Sequence, residues 1–235
     1  MTQPRPHDEA LRADLVAAAT VRLADRGPDA LSLREVSAAC GTSTTAIYAL
    51  FGGKVQLIDA VIDEGWERLT TALTSIDFDP HPQRRLRDLG VAYRCWSRDN
   101  RELYAAMFTR DSGTDGAPLP AVSAGIRKAT VPFHQASYAA ILGTELTPDS
   151  PSSIDDAEQQ ELICNVVTAM WVSLHGWMSF TGLRLVDPSD VSFEEFIPQL
   201  VDAAVKSGQE LYNPESGQQR HPWAAAGARS PYTPD

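Results

Sequence analysis

The sequence predicts an all-α fold. Apolar residues recur at i, i+3, i+4 and i+7 through several long segments, the period of a helix with one buried face. No segment alternates apolar and polar residues as a half-buried strand does. Glycines, prolines and S-x-x-E pairs fall between the periodic segments, where helices stop and start. With 235 residues and 43% hydrophobic composition, the chain is large enough for one globular body and a small appended domain. No internal repeat is visible.

Residues 1–7, with two prolines, read as a flexible arm. Residues 8–25 form a first helix, with Leu11, Leu15, Ala18, Ala19 and Leu23 on one side. Arg26-Gly27-Pro28 ends it. Ser32 and Glu35 make the S-x-x-E pattern of a reciprocal capping box, which starts a second helix at Leu33. Leu33, Val36 and Cys40 share its apolar face. Gly41 supplies the left-handed stop. Thr42 or Ser43 caps a third helix that buries Ile47 and Phe51 and shows Thr44, Thr45, Tyr48 and Ala49 on its other face. Gly52-Gly53 breaks that helix, and Lys54 opens a fourth, to about residue 75, with Leu57, Ile58, Val61, Ile62, Trp66 and Leu69 inward.

Asp77 to Pro82 holds two prolines and reads as a linker, although its D-x-D-x-H spacing resembles a metal site. A fifth helix spans 83–99, with Leu86, Leu89, Tyr93 and Trp96 inward, and a short sixth spans 101–108. A Gly/Asp loop covers 111–118. A seventh helix over 121–143 carries Pro132, which predicts a kink. An eighth over 154–181 has Leu162, Ile163, Val166, Val167, Met170, Trp171 and Leu174 on a wide stripe. Ser192 and Glu195 form a second capping box. Pro198 follows closely, so a short turn and then a helix to about Leu211 are expected. Residues 212–235 are rich in Gly, Pro, Ser and Gln and read as a disordered tail.

Two short helices around a glycine-bearing turn are the requirement of a helix-turn-helix. The first crosses the DNA backbone, and the second places its N-terminal residues against base edges. Small hydroxyl residues suit that approach: threonine can hydrogen-bond a base or a phosphate, and its methyl can touch a thymine methyl. Tyr48 and Lys54 are the right types for phosphate oxygens.

The run from Leu31 to Val36, Gly41, and the run Ala46-Ile47-Tyr48-Ala49-Leu50-Phe51-Gly52-Gly53-Lys54-Val55-Gln56-Leu57 resemble the TetR family of transcriptional regulators. The resemblance implies that Tyr48 and Lys54 touch the DNA backbone and that Arg34, Thr44 and Thr45 lie at or near the groove. The family often has His where this chain has Leu50. The recognition face also lacks Arg, Asn and Gln. Residues 86–108 and Trp171-Val172-Ser173-Leu174-His175-Gly176 resemble the TetR C-terminal domain type named for a Trp-His-Gly motif, with three residues between Trp171 and His175. Together the resemblances cover nearly all of residues 8–211. They imply a DNA-binding domain over 8–54, joined by the connecting helix 54–75 to a ligand-binding and dimerisation domain over 76–211. The dimer interface would use mainly the last two helices.

The formal net charge of −11 argues against nucleic acid as a partner unless the charge is segregated. It is segregated: residues 1–54 hold six basic and six acidic residues, and the remainder holds fourteen and twenty-five. A neutral head can dock while the acidic body is repelled, which orients the molecule. Cys40, Cys95 and Cys164 show no C-x-x-C spacing. An odd count without a secretory signal points to the reducing cytoplasm. Residues 162–183 lack Asp, Glu, Lys and Arg and are long enough to span a bilayer. Asn165, Thr168, Ser173, His175, Gly176, Ser179 and Thr181 within them favour a buried bundle or dimer helix, so no membrane association is expected.

Catalytic signatures such as G-x-S-x-G, a Walker A loop, H-E-x-x-H or G-x-G-x-x-G are missing. No enzyme activity, cofactor or metal is therefore expected. Tyr93, Trp96, Phe108, Phe133 and Trp171 are candidates to line an apolar pocket, with His175 as a polar anchor. The sequence reading is a cytoplasmic, homodimeric DNA-binding repressor released from its operator by a small apolar or aromatic effector. The alternative is a small-molecule-binding helical protein with little DNA binding.

Overall fold

The computed structural model describes residues 6–108, 120–152, 156–182 and 192–212. Among them lie nine helices and no strand: α1 (Pro6–Arg26), α2 (Leu33–Ala39), α3 (Thr44–Phe51), α4 (Lys54–Thr74), α5 (Pro82–Asp99), α6 (Arg101–Phe108), α7 (Pro120–Leu142), α8 (Ala157–Gly182) and α9 (Phe193–Leu211). The chain divides into two compact units. The first takes Met1–Ser75 and Cys95–Ala129, and the second Ile76–Arg94 and Thr130–Asp235. Both α5 and α7 change unit along their length.

The first unit is built on the stripes read from sequence. Leu15, Ala19 and Leu23 of α1, Leu57, Ile58, Val61, Ile62, Trp66 and Leu69 of α4, and Leu103, Ala106 and Met107 of α6 are all buried. Each large side chain so buried contributes about 1.5–3 kcal/mol of transfer free energy. Gly65 lets α4 approach α6: a Cβ there would overlap the Met107 side chain. The Trp66 and Phe108 rings meet edge to face at 5.8 Å.

In the second unit, Leu86, Leu89 and Tyr93 of α5, Phe133 and Ala136 of α7, the α8 stripe, and Phe193, Ile197, Val201 and Val205 of α9 are buried. Gly90 and Gly208 are close-approach sites, facing Ile197 and Ile141 respectively. Polar ties lie outside this core. Arg94 holds Glu194 at 2.9 Å and lies 4.7 Å over the Phe193 ring, and Arg87 holds Asp202 at 2.8 Å. The linker before α5 is fastened by buried Arg85, which donates to the carbonyls of Ile76 and Asp77 at 3.3 and 2.8 Å. Asp79 accepts the His81 amide at 2.7 Å and Arg84 Nε at 2.9 Å. Its carboxylate thus organises the turn into α5.

Two expectations are corrected. Helix α1 begins by Pro6, inside the expected arm; proline is well suited to a first turn, where its missing N–H has no intrahelical partner to lose. Pro198 does not interrupt the chain either, since α9 runs unbroken from Phe193 to Leu211. The proline sits early in the helix, where only one i→i−4 bond, to the carbonyl of exposed Glu194, is lost. The Ser192 hydroxyl accepts the Glu195 amide at 3.1 Å and anchors the start. Burial of Ile197, Val201 and Val205 on one face then outweighs a single missing bond. The expected 111–118 loop and the tail beyond Tyr212 lie outside the described residues.

By length and composition, 159–181 within α8 could cross a membrane, and 39% of that window is buried within the chain. From Asn165 onward its remaining face is charge-free and exposed through Asn165, Thr168, Ala169, Val172 and Phe180.

Candidate functional site

The helix-turn-helix forms as its local chemistry dictates. Ser32 is extended (φ −101°, ψ 116°), and its hydroxyl accepts the Glu35 amide at 3.4 Å. The reciprocal half of the expected capping box is replaced. The Glu35 carboxylate turns instead to α1, 3.6 Å from Arg26 and 4.0 Å from Arg22. After α2, Gly41 adopts φ +62°, and the Thr42 amide closes back on the Ser37 carbonyl at 2.9 Å. Val36 and Ile47 are fully buried between the two helices.

Ser43 caps α3 by backbone conformation alone (φ −105°, ψ 158°), and its hydroxyl makes no capping bond. The Ala46 amide donates to the Ser43 carbonyl at 3.0 Å; those of Thr44 and Thr45 take no acceptor from the Ser43 side chain, so they can serve a phosphate oxygen, helped by the positive end of the helix dipole. Thr45, Tyr48 and Ala49 are exposed and Thr44 is half-buried. Tyr48, at 59% exposure, is a large aromatic standing free on a short helix. The edge of its ring at Cε1 faces Gly53, where a Cβ would come 3.7 Å from it. At Gly52 (φ +93°) α3 ends, and α4 leaves at 64° to it.

Arg34 is exposed on α2, and no side chain among the described residues holds it. Lys54 reaches back to the Asp29 carbonyl, 3.0 Å from its Nζ. That fixes the side chain at the start of α4 and leaves two of the three ammonium donors unspent. The other described cations of the head are engaged. Arg12 lies 4.6 Å over the Phe51 ring, while Arg22 and Arg26 hold Glu35. Of the basic side chains on residues 6–54, Arg34 and Lys54 remain to meet phosphates. Few such contacts mean a shallow dependence of affinity on salt.

The six candidate ligand residues are not brought into one cluster. Tyr93, Phe133 and Trp171 meet in the second unit, with ring centroids 4.8 Å apart for Tyr93–Trp171 and 5.8 Å for Phe133–Trp171. His175 lies one turn beyond Trp171, half-buried, with Nε2 3.5 Å from the Ser179 hydroxyl. Burial lowers its pKa. In the first unit, Trp96 and Phe108 are joined through Tyr104 at 6.4 and 4.9 Å. A cleft of about 670 Å³ lies elsewhere in that unit, between Arg12 and Val16 of α1, Glu64 and Arg68 of α4, and the Arg98–Leu103 turn. It includes none of the six. Sequence reasoning missed this cleft, and also a Cys164–His134 contact in the second unit, because both join residues distant in the chain.

A helix-turn-helix head with a free polar recognition face, carried on a separate helical body, defines a DNA-binding transcriptional regulator. Comparison with known families gives the particular one. Residues 15–61 match the family model of bacterial regulatory proteins, tetR family, and residues 86–202 match the tetracyclin repressor-like C-terminal domain. The chain belongs to the TetR family, whose members are regulators rather than enzymes. No curated protein matches. Solved structures do: a protein of unknown function from Rhodococcus sp. RHA1 shares 25% identity and a TM-score of 0.58, covering 89% of this chain and 98% of that one. A TetR-family regulator from Streptomyces coelicolor shares 19% and 0.59, covering 93% and 95%. One from Marinobacter aquaeolei VT8 shares 16% and 0.60, covering 87% and 98%. At these identities the last two show a shared fold.

Proposed function

We propose that the chain is a homodimeric repressor that binds a near-palindromic operator through α3 and is released by a small, mainly apolar or aromatic effector. The observation that carries the reading is the α3 face: exposed Thr45 and Tyr48, Thr44 and Thr45 amides uncapped by the Ser43 side chain, exposed Arg34, and Lys54 with ammonium donors to spare beyond its bond to the Asp29 carbonyl. In this reading Tyr48, Lys54 and the amides hold phosphates, and Arg34, Thr44 and Thr45 approach base edges. The C-terminal domain is assigned to the Trp-His-Gly type on Trp171 and His175-Gly176. Its effector would bind beside Tyr93, Phe133 and Trp171 with His175 as polar anchor, while Trp96 and Phe108 serve as core of the other unit. Two copies pair through the charge-free face of α8 and through α9. A single acidic chain with no such partner would keep only the small-molecule function.

The test is a gel shift with the DNA upstream of the chain's own gene, against a scrambled duplex of equal length. The proposal expects a complex that prefers its own DNA and dissolves with effectors that quench Trp171 fluorescence. His175→Phe should keep the complex and weaken the effector response. Equal affinity for both duplexes refutes the repressor reading, and a normal effector response in His175→Phe removes His175 from the site.

A further inference from the structure

The second unit contains a nucleophile, a base and an orienting group that DNA binding does not use. His134 Nδ1 lies 2.9 Å from the Thr130 carbonyl, and its Nε2 lies 3.8 Å from Cys164 Sγ. A carbonyl can only accept, so Nδ1 carries the proton and the neutral ring presents its Nε2 lone pair to the thiol. Gln160, one turn before Cys164 on α8, donates its side-chain N–H to the same sulfur at 3.1 Å. The thiol therefore has a base to take its proton and a donor to hold the resulting anion. A nucleophile activated this way depends on mutual geometry of three groups. Cys164 is half-buried rather than sealed.

We propose that Cys164, with His134 as its base, is a covalent capture site for soft carbon electrophiles of the α,β-unsaturated carbonyl class, quinones included. The thiol proton passes to His134 Nε2. Sulfur attacks the β-carbon, a C–S bond forms, and the π pair moves through the α-carbon to the carbonyl oxygen. His134 then returns the proton to the α-carbon. Nothing leaves, and no oxidant or reductant is consumed. All three cysteines are free thiols. The electrostatics agree with the geometry. The hydrogen bond between the thiol and His134 lowers the Cys164 pKa despite burial and the nearby Glu161. Burial alone would lower His134, but its bonds to Cys164 and Thr130 outweigh burial and raise it. Cys40 is the contrast: burial raises its pKa. The capture site does not depend on operator binding.

The wild-type chain carries its own references. Full-length protein is treated with limiting 2-cyclohexenone at neutral pH, and adduct formation at each cysteine is followed by peptide mass mapping. Thiolate, not thiol, is the nucleophile, so Cys164 should react about tenfold faster than the exposed Cys95, with Cys40 slowest. His134→Gln and, separately, Gln160→Ala should each bring the Cys164 rate down to that of Cys95 or below while leaving the Cys95 rate unchanged. A Cys164 rate at or below that of Cys95 in the wild-type chain overturns the proposal. So does an unchanged Cys164 rate in His134→Gln. Because the wild-type comparison needs no variant, a misfolded mutant does not protect the proposal.

Discussion

Tyr48 and Lys54 frame the DNA argument at the scale of single residues. Both occupy the end of α3 and the start of α4, away from its N-terminal base-reading turn, so they are assigned to phosphates. Tyr48→Phe and Lys54→Ala should weaken binding about equally on operator and scrambled duplex. Lys54→Ala should also reduce the slope of log affinity against log salt by about one unit. Thr45→Ala should change the preferred base instead, as read by competition with single-position operator variants. A second residue-scale prediction concerns acid. Burial holds the His175 pKa below its ordinary value, so the unfolded chain takes up this proton more readily than the folded one. The stability linked to His175 is complete above the unfolded value, about 6.5, and is lost as pH falls through the lower folded value. His134 is raised and acts in the opposite sense. The wild-type Tm should therefore fall further than that of His175→Gln between pH 7 and pH 5. Parallel falls would show that His175 is not desolvated.

At the scale of elements, α9 is fitted to the second unit by Gly208, where a Cβ would come within 2.8 Å of Ile141 Cγ1 and 3.3 Å of Val166 Cγ2. Gly208→Ala should cost about 1–3 kcal/mol of overpacking, measured by urea denaturation; a neutral result would mean that α9 shifts freely over α7 and α8. The elements also show what the sequence made legible. Helical stripes were readable because period alone decides which side chains turn inward: the seven apolar residues of the α8 stripe are all buried. The glycine stop at Gly41 was readable because only the left-handed region closes that turn. Partner choice was not readable. Glu35 had one local donor in view, the Ser32 amide, and the fold offered it Arg22 and Arg26. Tyr93 and Trp96 are one turn apart on α5, yet the helix changes unit between them. Tyr93 meets Trp171 and Trp96 meets Tyr104, partners that no periodicity reveals. Pro198 was misjudged because a proline's cost was weighed without the burial that follows it.

At the scale of the whole molecule, α8 carries a face that the described residues leave uncovered. On α8, Val172 is 62% exposed and Phe180 52%, and no charged residue interrupts that surface. A second copy related by a two-fold axis is the occupant that a palindromic operator requires. Val172→Asp should yield a folded monomer that loses the operator, seen by sedimentation velocity and gel shift together. A wild-type monomer at micromolar concentration would remove the dimer from the account. In the proposed dimer the acidic balance of the rest of the chain has a role: it repels DNA outside the two neutral heads.

The central claim is that paired α3 helices dock on DNA through the Thr45–Tyr48 face. Hydroxyl-radical footprinting of the wild-type protein on its own upstream DNA tests it most directly. The account predicts two protected half-sites related by a dyad, their centres about 34 Å or a multiple of that apart, with protection lost in Tyr48→Phe at protein concentrations that saturate the wild type. A single unpaired protected site, or a footprint unchanged by Tyr48→Phe, would contradict it.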